Sequence, residues 1–242
     1  MREIRLYTDQ TLQAGARLCL DKEATRHAVQ VLRLQAGHPL TLFNGDGWNY
    51  TATLQNTAKQ AEVLITGKQE NPLESPLEVT LVQGVSRSER MDFTLQKAVE
   101  LGVTGIVPVF TERSVLNLNG ARLEKKIRHW RAVISSACEQ SGRSRLPTLG
   151  EAVSLRDYLA TNAPAGKACV LLPGAAGTFA GIDNPNNRFT LLIGPEGGLS
   201  EAETDAAQAA GFTGVSMGPR ILRTETAGIA ALSILQARFG DF

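Results

Sequence analysis

The sequence is poor in cysteine, histidine and aromatic residues. Its 242 residues include three cysteines and three histidines, and aromatic residues make up only 5% of the chain. Cys19, Cys138 and Cys169 are far apart and odd in number, which argues against a disulfide framework and against a Cys-x-x-Cys zinc site. The histidines are equally scattered, so we expect no metal. Isolated, reduced thiols are typical of a cytoplasmic protein, and we expect that location.

Long apolar runs and a large net charge are also missing. No stretch approaches the ~20 consecutive apolar residues that a membrane span needs, and the segment from Met1 to Arg5 lacks the apolar core of a signal peptide. We therefore expect no membrane association. The formal net charge is +1, so any contact with nucleic acid must come from a local basic patch.

Two prolines in the segment Asn71–Pro76 mark a predicted domain boundary, because they favour an extended path. Before it, short apolar segments predict strands at residues 18–20, 40–43, 50–54 and 61–65, and one helix fits residues 25–32. Asn44–Gly47, between two of these strands, predicts a hairpin. Residues 1–72 are therefore predicted to form a small β-barrel.

Strands alternate with helices over residues 73–242, which predicts an α/β fold with a mostly parallel sheet. The strands are predicted at residues 77–85, 105–110, 168–172, 189–193 and 215–217, and the helices at 89–101, 121–141, 200–211 and 225–238. Ser200 and Glu203 have the spacing of a capping box. The last helix is apolar nearly all round, so we expect it to be buried in the core or against another subunit.

Two Gly-Pro loops near the C-terminus carry the strongest functional signal. One begins at Gly194 and the other at Gly218; each follows an apolar strand and leads into a helix. A strand end, a backbone loop and a helix N-terminus can together hold a small polar ligand, so we predict one pocket made from both loops. The alternative is a pair of tight turns, with Thr224 as a helix N-cap. Neither loop matches a dinucleotide fingerprint or a P-loop, which argues against NAD and nucleoside triphosphates.

Basic residues cluster in both predicted domains. Arg2, Arg5, Lys22, Arg26 and Arg33 form one group, and a second surrounds the first helices of the α/β region. Such local excesses suit phosphate contacts, although a solvated helix face is the alternative. The predicted RNA-binding residues are Arg5, Arg26, Arg33, Arg87, Arg90, Arg113 and Arg143. No Ser-His-Asp, Cys-His or paired-carboxylate arrangement stands out, so the chemistry is expected to rely on a cofactor.

The motifs as a set resemble a known family. Gly194–Ser200 and Leu222–Ala227 look like the signature of the RsmE family, the 16S rRNA (uracil(1498)-N(3))-methyltransferases. Further matches extend the resemblance over nearly the full length: Val31-Leu32-Arg33, Gln96–Val103, Ser114 after Glu112-Arg113, and Glu139–Arg143. Tyr7 departs from the family, which often has Phe there.

The resemblance implies more than the spacing does. It implies a SPOUT α/β methyltransferase domain with a trefoil knot, an N-terminal PUA-like β-barrel that helps to hold 16S rRNA of the small ribosomal subunit, and a homodimer. The implied cofactor is S-adenosylmethionine. It would be held by Leu172, Ile193, Gly194, Pro195, Gly197, Gly198, Met217, Gly218, Pro219, Leu222 and Thr226.

The implied reaction is methyl transfer to N3 of one uridine. Our candidates are Arg223 for stabilising the uracil anion and Glu196 or Glu225 for handling the proton, although both glutamates could instead brace their loops. Two other functions stay open: a SPOUT enzyme that acts on another RNA site, such as a tRNA ribose, and a non-catalytic RNA-binding assembly factor. A Rossmann-type methyltransferase is disfavoured because no Gly-rich loop follows an early strand.

Overall fold

The computed structural model describes residues 3–114, 118–164, 166–183 and 186–242. The chain divides into two compact units, one of residues 1–74 and 135–146 and the other of residues 75–134 and 147–242. The first division lies close to the predicted boundary, but residues 135–146 were expected in the second domain. They group with the first unit because Asn71 Nδ2 donates to the Gly142 carbonyl at 2.7 Å and Arg143 pairs with Glu74 at 2.8 Å.

The first unit is a curled sheet of five strands. They are β1 (Arg5–Tyr7), β2 (Arg17–Cys19), β3 (Pro39–Phe43), β4 (Trp48–Asn56) and β5 (Glu62–Glu70), in the order β1-β3-β4-β5-β2. β1 is parallel to β3 and the other pairs are antiparallel. In β4 and β5 alternate residues such as Ala52, Leu54 and Val63 are fully buried, as the period of two requires. Asn44–Gly47 joins β3 to β4, so the predicted hairpin is confirmed.

The helical segment of this unit differs from the prediction. A short α1 (Lys22–Arg26) begins after Asp21, whose side chain accepts from the Ala24 amide, and a π-helical turn (His27–Val31) follows it. The predicted helix over 25–32 is found only in part: residues 25–26 end α1 and residues 27–31 are π-helical, because Leu32 N donates to the His27 carbonyl, one residue further back than in an α-helix. Arg33 then ends the turn with a φ of 54°.

The second unit contains a parallel sheet, as predicted. Its strands are β6 (Glu78–Gly84), β7 (Gly105–Phe110), β8 (Thr148–Leu149), β9 (Val153–Ser154), β10 (Lys167–Leu171), β11 (Gly177–Thr178), β12 (Arg188–Ile193) and β13 (Thr213–Ser216). The order is β11-β13-β10-β12-β6-β7-β8, with β9 also on β7. β8, β9 and β11 were not predicted, since a strand of two residues carries no periodicity.

In the described part of the chain, the α-helices after β6 are α2 (Ser88–Glu100), α3 (Gly120–Ser141), α4 (Leu155–Thr161), α5 (Glu201–Ala209) and α6 (Thr224–Phe239), and the end of α3 belongs to the first unit. The capping box of Ser200 and Glu203 at the start of α5 is confirmed. Thr224 as N-cap of α6 was wrong: Arg223 occupies the cap, and the Thr224 hydroxyl donates instead to the Gly194 carbonyl at 2.7 Å. α4 was not predicted.

The last helix, α6, packs against α2 and β12. A Cβ on Gly228 would lie 3.2 Å from Ile193 Cδ1, so the missing side chain allows this close approach. Gln236 Nε2 donates to the Leu101 carbonyl at 2.8 Å. In the sheet, β10 lies between β13 and β12. After β13 the chain passes β10 and forms α6 against β12, a path compatible with the knot that the resemblance implies. Among the described residues, no helix is long and apolar enough to cross a membrane.

Candidate active site

A cavity of about 480 Å³ opens where β10, β12 and β13 end. In parallel sheets, ligands bind outside the carboxyl ends of the strands, where the loops begin. Both Gly-Pro loops line this cavity, which confirms that they lie close enough to form one pocket. Its volume falls within the ~300–1,000 Å³ typical of small-molecule sites.

The loop after β12 is a tight turn that tolerates few side chains. Gly198 has a φ of +71°, and its amide donates to the Pro195 carbonyl at 2.9 Å. A Cβ on Gly84, at the end of β6, would lie 2.5 Å from the Pro195 nitrogen. A Cβ on Gly197 would lie 2.8 Å from Arg113 Cβ. Close backbone approach, rather than composition alone, therefore requires glycine at residues 84 and 197.

The second loop is fastened to the first by side chains. Gln83 Nε2 donates to the Thr224 hydroxyl at 3.0 Å, and that hydroxyl donates to the Gly194 carbonyl. Gln83 and Thr224 are both buried. Elsewhere in the lining, the Leu172 amide donates to the Val215 carbonyl at 3.0 Å. These bonds fix the relative positions of the residues that surround the cavity.

Two carboxylates and one arginine form a cluster beside the loops. Glu196 Oε1 accepts from the Arg87 amide at 2.9 Å and lies 3.4 Å from Arg90 Nη1. Glu225 Oε1 is 4.0 Å from Arg90 Nε. The second oxygens of Glu196 and Glu225 are buried without a hydrogen-bond partner in the described structure. A buried unpaired carboxylate oxygen is costly, so these atoms are available to accept a hydrogen bond from a ligand.

Two arginines of the second loop take no part in the ion pairs of the acidic cluster. Arg220 and Arg223 are exposed, and the described part of the chain offers neither guanidinium a hydrogen bond or ion pair. Ile221 between them is 84% exposed. All three line the cavity. The entrance therefore combines positive charge with an apolar side chain, a combination suited to an anionic ligand that carries a planar base.

Most of the predicted pocket residues line the cavity. They are Leu172, Ile193, Gly194, Pro195, Glu196, Gly198, Met217, Gly218, Leu222 and Arg223. Gly197, Pro219, Thr226 and Glu225 are not in its wall, although Gly197 shapes the turn and Glu225 contacts Arg90. Sequence reasoning missed Leu171, Pro173, Leu199, Val215, Ile221, Thr224 and Ala227 as wall residues. All but Val215, which lies two residues before Met217, adjoin a predicted residue, so the loops were found but not their full lining.

The arginines predicted to bind RNA fall into three groups. Arg26, Arg33 and Arg87 are exposed, and Arg90 and Arg113 line the cavity. Arg5 and Arg143 are instead buried within the first unit, and burial lowers the pKa of Arg5. Their guanidinium groups are engaged by Ser144 and Glu74, respectively, so we now assign them a structural role. Arg2 lies outside the described residues.

The lining of the cavity suits a flat, largely apolar ring. Its wall is mostly apolar around Leu172, Ile193 and Leu222, which favours burial of a flat base. The glycines at residues 194 and 198 of the loop after β12 add no side chains to the cavity that they line. Elsewhere in the described residues, no group of three or more histidine, cysteine or acidic residues could hold a metal ion.

Two family models match the chain, over separate parts of the sequence. An RNA methyltransferase domain matches residues 73–236 and an RNA methyltransferase PUA domain matches residues 20–66. The fold and the two-loop site thus define an RNA methyltransferase with an attached PUA domain, and the predicted fold class is confirmed.

Similar proteins narrow this class. Ribosomal RNA small subunit methyltransferase E of Buchnera aphidicola subsp. Schizaphis graminum is 35% identical over 98% of this chain and 97% of its own. The Mycobacterium bovis protein of the same name is 33% identical over 93% of this chain and 88% of its own. This chain therefore belongs to the ribosomal RNA small subunit methyltransferase E family, as the motifs indicated.

Two solved structures align with this protein over the full length of both chains. A putative methyltransferase from Legionella pneumophila, in complex with the cofactor S-adenosylmethionine, is 40% identical with a TM-score of 0.96. A ribosomal RNA small subunit methyltransferase E from Neisseria gonorrhoeae, bound to S-adenosylmethionine, is 38% identical with a TM-score of 0.92.

Proposed function

We propose that this protein methylates N3 of uridine 1498 in 16S rRNA of the small ribosomal subunit, with S-adenosylmethionine as methyl donor. Membership of the family supports the cofactor and the rRNA substrate. The observation that carries the proposal is the cavity lined by both Gly-Pro loops, which has apolar walls inside and two unpaired arginines at its entrance. The choice of uridine and of N3 rests on the RsmE resemblance.

The residues that line the cavity would bind the cofactor and orient the uracil. The backbone around Leu172, Gly194 and Gly218 would hold the adenine edge of the cofactor, with Leu222 closing the pocket. When bound, S-adenosylmethionine supplies a methyl group activated by its sulfonium. Holding the uracil in line with that methyl group removes up to ~7–11 kcal/mol of the barrier.

The uracil N3 must lose its proton before or during attack. Glu196 is the favoured acceptor, because it lines the cavity and its Oε2 is buried without a partner in the described structure. Glu225 has an equally unpaired oxygen but is not in the wall of the cavity. Arg223 would stabilise the negative charge that develops on the uracil ring, since its guanidinium is at the entrance.

A homodimer fits the apolar surface of α6. Ile229, Ala230 and Ile234 remain only half-buried in the single chain, and a second copy would cover them. Sedimentation equilibrium tests this: a monomer at micromolar concentration would contradict the proposal. Replacing Ile234 with Lys is expected to weaken the dimer.

Primer extension on 16S rRNA tests the reaction itself. An N3-methyl group blocks the Watson–Crick edge, so reverse transcription of rRNA from normal cells should stop at one uridine. The stop should vanish in a strain that lacks this protein and return with a plasmid copy. A stop that persists would disprove the proposed target, and mapping a lost mark elsewhere would favour another RNA site. Absence of S-adenosylmethionine binding in calorimetry would revive the non-catalytic assembly factor.

A further inference from the structure

The first unit carries an apolar tip that no part of the methyl-transfer site explains. Val31 is 59% exposed and Leu32 is 39% exposed, although both are large aliphatic residues. They are the only adjacent pair among the exposed large hydrophobic residues of the described chain. Single exposed aliphatic residues need no explanation, but a neighbouring pair that projects from a turn does.

The backbone holds this pair in an unusual conformation. Val31 ends the π-helical turn His27–Val31, and Leu32 N donates to the His27 carbonyl at 2.9 Å. Arg33 follows with a φ of 54°, in the left-handed region that non-glycine residues seldom adopt. Single π-helical turns are rare and concentrate at functional positions. Continuing a regular α-helix would have avoided both features.

Contacts inside the first unit fix the turn. His27 Nδ1 lies 3.5 Å from Glu139 Oε2, and Glu139 Oε1 accepts from the Tyr7 amide at 2.9 Å. Leu34 N donates to the Ala28 carbonyl at 3.0 Å, and Ala28 and Leu34 are buried in the barrel core. These contacts therefore hold in place the turn that carries the exposed pair.

Basic residues flank the tip in the sequence. Lys22, Arg26 and Arg33 are exposed, and in the described structure none of them has an ion pair or a hydrogen bond from its side chain. Glu23 is the only acidic residue between residues 22 and 33. Uncommitted cations beside exposed apolar side chains complement a polyanion with unstacked bases, since the cations meet phosphates and the apolar groups meet base faces.

We propose that Val31 and Leu32 form a base-contacting tip, which packs against an unpaired nucleotide of the substrate RNA while Arg26 and Arg33 bind the flanking phosphates. The tip would act as a second point of recognition, separate from the nucleotide that is methylated. This inference deepens the proposed function and rests on its assignment of an RNA substrate, but not on which atom of the RNA is methylated.

Crosslinking identifies what the tip touches. The full chain with p-benzoylphenylalanine at position 32 is irradiated with small ribosomal subunits from a strain that lacks this protein. A matched control has the same group at position 73, where Leu73 is 58% exposed in the same unit. We expect rRNA in the crosslink from position 32 and little from position 73. A crosslink only to a ribosomal protein or to a second copy, or none, would overturn the proposal.

Binding measurements separate the apolar contact from the charges. Val31→Ser with Leu32→Ser should weaken binding to these subunits about tenfold, because apolar burial is lost, and should leave the salt dependence unchanged. Arg26→Gln should instead lower the slope of log affinity against log salt by about 0.7–0.9. Leu73→Ser should change neither. Leu32→Trp should retain binding, since an aromatic ring can also pack on a base.

A double serine variant that binds as tightly as the parent protein would also refute the tip. Circular dichroism and S-adenosylmethionine calorimetry on each variant verify folding and the cofactor site. The methylated atom is mapped in a separate measurement. An error in the proposed N3 target would therefore leave the expected crosslinking and binding results of the tip unchanged.

Discussion

At the scale of single residues, the two glutamates near Arg90 differ in one informative respect. Glu196 lines the cavity, whereas Glu225 does not, although each has one buried oxygen without a partner in the described structure. Glu196→Gln keeps an oxygen that can accept from the Arg87 amide but removes the base. We expect methyl transfer to fall by roughly 10²–10⁴-fold with cofactor affinity nearly unchanged, as single-turnover assays and calorimetry would report.

Glu225→Gln is the matched control for this experiment. It should lower single-turnover methylation far less, because Glu225 reaches the site only through Arg90. A larger loss in Glu225→Gln than in Glu196→Gln would reverse the assignment of the proton acceptor.

Arg223 makes a separate prediction about charge. Its side chain is exposed at the entrance and has no partner in the described part of the chain, so its removal should leave the fold intact. Arg223→Ala should reduce methyl transfer by about 10²–10³-fold, the effect of losing one donor to a developing anion. Cofactor affinity should change little. Unchanged turnover would rule out this role, and Arg220→Ala serves as the comparison.

The three cysteines should differ sharply in reactivity. Burial raises the pKa of Cys138 to about 12 and that of Cys169 to about 11, whereas Cys19 is exposed. Because the thiolate is the reactive form, one thiol per native chain should react with a disulfide reagent at pH 8 and three should react in denaturant. Cys19→Ser should abolish the native reaction. Fast labelling of a second thiol would contradict the buried positions.

At the scale of elements, the loop after β12 depends on a glycine outside either signature motif. A Cβ on Gly84 would lie 2.5 Å from backbone Pro195, which cannot move like a flexible side chain. We expect Gly84→Ala to lower the free energy of unfolding by about 1–3 kcal/mol and to weaken S-adenosylmethionine binding. Denaturant titration and calorimetry would measure the two effects.

Gly181→Ala is a suitable control, since nothing lies within 4 Å of its added Cβ. Its stability and cofactor affinity should match those of the parent protein. If Gly84→Ala behaved in the same way, the close approach of β6 to the loop would not matter for binding.

Local patterns predicted well the elements that an apolar run or a helix cap marks in the sequence. β7 and β12 were placed within one residue, and the capping box at the start of α5 was recognised from Ser200 and Glu203. The predictions that failed did so because contacts between residues distant in the sequence decide the structure there. The Thr224 hydroxyl bonds to Gly194 rather than capping its own helix, and burial of Arg143 against Glu74 depends on a contact 69 residues away in sequence.

The same limit applied to the candidate site. Both loops were recognised, because glycine and proline mark turns wherever they occur. Gly84 and Gln83 were not, since their importance arises only when β6 lies next to β12 in the sheet. The distinction between exposed and buried arginines also requires the fold, because sequence spacing reports charge but not solvation.

At the scale of the whole molecule, the cavity walls come from segments far apart in the chain, so cofactor binding should stabilise the fold. Residues from Arg90 to Ala227 meet around the cavity, and they separate on unfolding. A ligand that binds only the folded state adds RT ln(1 + [L]/Kd), which is about 2.7 kcal/mol at one hundred times Kd. Calorimetric scans with S-adenosylmethionine should therefore show a midpoint that rises with the logarithm of its concentration. Glu196→Gln should keep that rise, because it changes proton transfer rather than binding, whereas Gly84→Ala should diminish it. A midpoint that does not move with S-adenosylmethionine, for a protein that folds cooperatively, would contradict the placement of the cofactor between these loops.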